Sequence, residues 1–117
     1  ALADYLQAAM AHSRTEQVRV LFLNAKNMLI ANEAMWNGSV DEASVHVREV
    51  ISRAIALGAT ALIIVHNHPS GDPEPSSQDI RITQDLIEAA RHLKIIIHDH
   101  VIVGATGQSS MRALGLI

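Results

Sequence analysis

The chain has 117 residues, a formal net charge of −3 with its histidines neutral, and a hydrophobic fraction of 49 %. That length suits one domain around one core, the apolar content excludes a disordered chain, and the acidic balance offers no broad basic face for a phosphate backbone. The absence of cysteine excludes a disulfide framework, a thiolate metal site and a cysteine nucleophile, so any metal must be held by His and Asp or Glu.

In chain order, residues 1–13 (ALADYLQAAMAHS) are rich in Ala and Leu and free of Gly and Pro, which predicts a helix or helical linker belonging to a longer protein, ahead of a domain over residues 14–117. Residues 17–23 (QVRVLFL) alternate and carry β-branched Val18 and Val20, the pattern of a strand. The NAKN turn at 24–27 leads to a second strand near 28–36, making a hairpin that ends at Asn37-Gly38-Ser39. Ser39 and Glu42 have capping-box spacing before a helix over about 40–57, closed by Gly58. The apolar run 60–65 (TALIIV) predicts a strand buried on both faces. Residues 66–75 (HNHPSGDPEP) hold all three prolines and must be an irregular loop. Ser76 opens a helix to about 92, residues 94–103 (KIIIHDHVIV) form another central strand, and the tail from Gly104 is loop plus a short terminal element. The order predicts a single-domain α/β fold, a mixed β-sheet flanked by helices. No stretch reaches the roughly 18 apolar residues of a membrane span, and no basic-then-apolar N-terminus marks a signal peptide. Together with the missing cysteines this fits a cytoplasmic chain.

His66 and His68 stand two apart at the exit of a buried strand, where residues i and i+2 point to the same side. The Pro-bent loop can fold the next helix back over that strand end, bringing Asp79 of its first turn toward both imidazoles. Two nitrogens and one oxygen make a three-ligand zinc site with an open fourth position, the catalytic kind. Each part has a plainer reading. Ser76-x-x-Asp79 is also a helix cap, and paired histidines at a strand end are often polar residues of a sheet rim. Capping, however, requires no histidine pair before it.

The string His66-Asn-His68, seven residues, Ser76, two residues, Asp79 resembles the JAMM motif, H-x-H-x7-S-x2-D, of JAB/MPN metallopeptidases. The longer string HNHPSGDPEPSSQD is similar to the RadC branch of that superfamily, historically labelled as DNA repair proteins. The segments GSVDEASVHVREV, DIRIT and DHVIVG extend the likeness over nearly the whole chain from about residue 14. The resemblance implies a JAB/MPN (cytidine-deaminase-like) architecture and one Zn²⁺ held by His66, His68 and Asp79. It further implies peptidase or isopeptidase chemistry on a peptide or protein substrate, with Ser76 helping to stabilise the oxyanion. It also implies an upstream glutamate that takes a proton from the attacking water and returns it to the leaving amine. Glu16 is the choice, because it sits directly before the first strand, as in the family fold, at a spacing from His66 similar to the family's. Glu33, mid-hairpin, is second. Glu42 is explained as a cap partner and Glu49 as an ordinary helix residue. A flanking charge beside an edge strand is the plainer role for Glu16.

His98 and His100 are expected to share one strand face, with Asp99-His100 matching a family DH pair as a structural or ligand-orienting element. His12, His46 and His92 read as ordinary surface or helix residues, and Ser70 as a turn residue beside Pro69 and Gly71. Three functions remain: an active zinc peptidase; a metal-binding but weakly active module recognising a protein or DNA; and a metal-free scaffold, against which the intact motif counts. DNA rests on the family label alone, since no Lys/Arg-rich hairpin or helix supports it. A deaminase-type zinc site is excluded by the missing cysteines, and H-E-x-x-H is absent.

Overall fold

The structure is a computed structural model, and it describes Met10 and residues 15–37 and 43–117. Five strands form one mixed sheet: β1 (Gln17–Leu23), β2 (Leu29–Asn37), β3 (Ala61–Asn67), β4 (Ile96–Gly104) and β5 (Gly107–Ser110). Helices α1 (Ala43–Leu57) and α2 (Ser77–Arg91) accompany them. The spatial order is β2-β1-β3-β4-β5. The pairs β1/β2, β1/β3 and β4/β5 are antiparallel, and β3/β4 is parallel. The expected helix over residues 1–13, apart from Met10, and the Ser39/Glu42 cap lie outside the described residues.

Alternation assigns the two faces. Val18, Val20 and Phe22 of β1, Leu62 and Ile64 of β3 and Ile97 of β4 point one way, against Val50 and Ala54 of α1 and Leu86 and Ala90 of α2. Leu21, Val65 and Val103 point the other way and enclose Met10. β3 lies between two paired strands and is buried along almost its whole length, as its unbroken apolar run predicts. Helix α1 ends where glycine allows a left-handed turn: Gly58 has φ +70°, and Ala59 N–H donates to the Ala54 carbonyl at 2.9 Å. Helix α2 ends the same way without glycine, Lys94 taking φ +56° while Ile95 N–H donates to the Ala90 carbonyl at 3.2 Å.

Two expectations need correction. The tail contains β5, a four-residue edge strand whose polar Gly-Gln-Ser-Ser sequence has little strand character of its own and which forms by pairing with β4. His98 and His100 do not share a face. The pairing of β3 with β4 runs from Leu62↔Ile97 directly to Ile63↔Asp99, so His98 is the extra residue of a bulge. The bulge leaves His98 on the side of the hairpin turn, bonded to Asn27 Oδ1 at 2.9 Å, and turns His100 inward under α2.

Candidate metal and hydrolytic site

The antiparallel register of β1 on β3 opposes Val18 to His66. It therefore sets the residues just before β1 beside the exit of β3, and Glu16 Oε1 accepts from His66 Nε2 at 2.7 Å. The chain then turns through residues 68–75, pinned to the end of β4. His68 N–H donates to the Val103 carbonyl at 2.9 Å, and Thr106 Oγ1 donates to the Gly71 carbonyl at 3.0 Å. Ser109 Oγ donates to the Pro73 carbonyl. A Cβ at Gly104 would stand 2.3 Å from the Gly71 carbonyl oxygen, so this backbone crossing requires glycine.

The loop delivers the N-terminus of α2 over the same strand end. Ser76 Oγ accepts from Asp79 N at 3.1 Å, and Asp79 Oδ2 accepts from Ser76 N at 2.9 Å, a complete capping box. The same carboxylate reaches both imidazoles: Oδ1 is 3.1 Å from His66 Nδ1, and Oδ2 is 3.1 Å from His68 Nε2. Capping and site-building are thus one arrangement, in which the cap fixes the rotamer that aims Asp79. The two imidazoles meet edge to face with centroids 4.9 Å apart.

A buried imidazole between two carboxylates has an unusual charge balance. Burial alone lowers the affinity of His66 for a proton, but Asp79 and Glu16 together outweigh it and raise its pKa above the usual histidine value. Burial would likewise raise Asp79, yet His66 and the Ser76 backbone hold it well below the ordinary carboxylate range. Two carboxylates facing a buried imidazole make a cluster whose charge suits a cation.

Glu16, His66 and His68 each offer a donor atom, all within 4.8 Å of one another. Asp79 touches both histidines but stands outside that grouping. The donor set, imidazole and carboxylate only, fits a zinc or similar divalent ion. Two details add to the fit. His66 Nδ1 is buried and makes no hydrogen bond, its 3.1 Å approach to Asp79 being an ion-pair contact only. His68 Nδ1 lies 3.0 Å from the Asp72 carbonyl, where an N–H donated to it would leave Nε2 as the lone pair for a metal.

Thr83 and His100 lie beneath this group. Thr83 Oγ1 donates its one hydrogen to the Asp79 carbonyl at 2.7 Å, so His100 Nδ1–H is the donor in the 2.6 Å contact with Thr83. Burial foremost, and then the charge on His66, pushes the His100 pKa down to about 3, so the ring is neutral near pH 7. Asp99, by contrast, ties β4 to the tail by accepting from Ser110 Oγ at 2.5 Å and from Arg112 N at 3.1 Å.

The other sequence candidates separate cleanly. Glu33 is on edge strand β2, where Arg53 grips both its carboxylate oxygens at 2.7 and 2.8 Å, away from the histidines. Glu49 is exposed on α1, Ser70 is exposed in a turn, and Glu42 lies outside the described residues. His46 is more than an ordinary helix residue, for its ring stacks on Trp36 with centroids 4.2 Å apart. Sequence reasoning missed Asn67, nearly fully buried between the two histidines, and Thr83. The available signals were a polar residue inside an otherwise apolar strand and a threonine one helical turn after Asp79.

A mixed sheet accompanied by helices, with a carboxylate–imidazole cluster at the shared end of its central strands, defines a small α/β domain. The family model described as RadC-like JAB domain matches residues 1–116. A UPF0758 protein of Rhodobacter capsulatus is 53 % identical over the whole chain. The chain therefore belongs to the RadC-like JAB domain family. It spans 55 % of the length of that relative. Among the described residues, no helix is long and apolar enough to cross a membrane.

Proposed function

We propose that this domain hydrolyses an amide bond, in a peptide or an isopeptide, with the help of one zinc ion. The observation that carries the reading is the meeting of Glu16, His66, His68 and Asp79 from three separate stretches of chain at one sheet end. His66, His68 and Asp79 would hold the ion. When bound, zinc polarises a carbonyl and brings the pKa of water to about 7.

The remaining work falls to the chain's own groups. Glu16 is only partly buried, with 31 % of its side chain exposed, so its carboxylate can reach both a water and a substrate. It takes a proton from the attacking water as the new C–O bond forms, then delivers that proton to the nitrogen as the C–N bond breaks. Ser76 Oγ accepts in the cap, which leaves its O–H free to donate to the carbonyl oxygen as that oxygen becomes negative. The buried His66 and His100 keep water from the inner side of the cluster.

The test is a screen of peptide and isopeptide substrates with zinc-loaded protein, chelator-stripped protein and stripped protein given zinc back. Hydrolysis present, lost and restored supports the reading. Zinc binding without hydrolysis of any amide substrate would replace it with a metal-binding recognition module.

A further inference from the structure

The side chain between the two histidines faces away from them. Alternation along β3 turns Asn67 to the sheet face opposite His66, where it is 1 % exposed. There it makes two hydrogen bonds to backbone: its Oδ1 accepts from Gln17 N at 2.6 Å, and its Nδ2 donates to the Thr15 carbonyl at 2.9 Å. Those backbone groups lie immediately after and immediately before Glu16. One amide thus grips both sides of the residue whose carboxylate reaches His66.

The need for such a grip follows from the local chain. Glu16 precedes the first strand and lies outside the ladder that begins at Gln17. A carboxylate acting on a proton must be held to within a fraction of an ångström. An asparagine suits the place because donor and acceptor sit on one rigid planar group, and it carries no charge to compete with Glu16.

We propose that Asn67 is the positioning residue for Glu16, clamping residues 15–17 so that the carboxylate stays over the His66 edge. This rests on the hydrolytic reading for its purpose, but the clamp itself is measurable without turnover. His66, Asn67 and His68 then form one unit: alternate side chains build the cluster from one side and fix its base from the other.

The experiment uses Asn67→Leu, which keeps the volume and loses both hydrogen bonds, and Asn67→Asp, which keeps only the acceptor for Gln17. Hydrogen exchange of the Gln17 amide is followed in the metal-free protein. Exchange at least about ten-fold faster in Asn67→Leu, with Asn67→Asp between it and the parent, is expected where a bond to a buried acceptor has been removed. Unchanged exchange in both variants overturns the clamp. A double-mutant cycle with Glu16→Gln then reads the purpose. Asn67→Leu is expected to lower kcat by roughly ten-fold or more with zinc stoichiometry kept, and to cost nothing further once Glu16 is Gln. Fully additive losses overturn positioning in favour of a structural role. If the parent protein binds zinc but hydrolyses nothing, the hydrolytic reading fails while the exchange rates still decide the clamp.

Discussion

Glu16 Oε1 and His66 Nε2 are 2.7 Å apart although 50 residues separate them in the chain. The antiparallel pairing of β1 on β3, with Val18 opposite His66, closes that distance. In the proposed hydrolysis Glu16 is the general base, and that role has a defined signature when its acidity is removed but its shape is kept. Glu16→Gln is expected to retain zinc and to lower kcat by roughly 10²–10⁴-fold, the usual range for a positioned acid–base group. Turnover and zinc content measured on the same preparation check this. Unchanged turnover would remove Glu16 from the role.

Ser76 has two tasks, capping α2 and holding Asp79 in place, and they leave different traces. Ser76→Ala is expected to cost about 1 kcal/mol of unfolding free energy, the ordinary value of an N-cap. Because Asp79 loses its fixed rotamer as well, zinc affinity is expected to fall by roughly ten-fold or more. Urea unfolding and competition with a chromogenic chelator measure the two separately. A stability loss with full zinc affinity would reduce Ser76 to a cap.

Gly104 governs the site from a distance. A methyl group there would meet the Gly71 carbonyl oxygen at 2.3 Å and its carbon at 2.8 Å, both backbone atoms of the loop between His68 and Asp79. Gly104→Ala is expected to destabilise the protein by roughly 1–3 kcal/mol, as overpacking does, and to weaken zinc binding by shifting the loop between His68 and Asp79. Thermal unfolding with and without zinc tests it, and a variant as stable as the parent would show that the loop can move aside freely.

The metal-free protein should lose stability on acidification because of His100. Its pKa is pushed down to about 3 in the fold against about 6.5 when unfolded. Between those values the unfolded chain binds a proton that the folded one refuses, so stability falls as pH drops through that window and the effect is complete below it. His66 has the opposite sign: its raised pKa contributes stability that is full below about 6.5 and is lost as pH rises through the folded value. Asp79, held low, adds stability that is present above about 3.9 and lost only further into acid. His100→Asn, which keeps a donor for Thr83, isolates the first contribution. Unfolding free energy of the parent, relative to that variant, should decline by a few kcal/mol between roughly pH 6.5 and 3. Parallel pH curves would contradict this.

Much of this arrangement was legible in the sequence, for physical reasons that differ by element. β3 was readable because a strand buried on both faces is uniformly apolar, and α2 because its cap and its proline-rich approach are local signals. The cluster of His66, His68 and Asp79 followed from one turn of chain. Glu16 required knowledge of a long-range pairing, which spacing does not encode, and came from the family resemblance. β5 was hidden because four polar residues become a strand only when β4 offers its edge. The opposed directions of His98 and His100 were hidden because strict alternation holds only until a bulge interrupts it. Asn67 was passed over because its partners are backbone groups of residues 15 and 17, visible only once β1 is docked.

The most direct measurement is the zinc content of the purified domain, by elemental analysis after dialysis against zinc at neutral pH, beside that of a His66→Ala/His68→Ala variant. The predicted result is close to one zinc per chain in the parent and almost none in the variant. Little zinc in either protein, or equal zinc in both, would contradict the metal site on which the proposed hydrolysis depends.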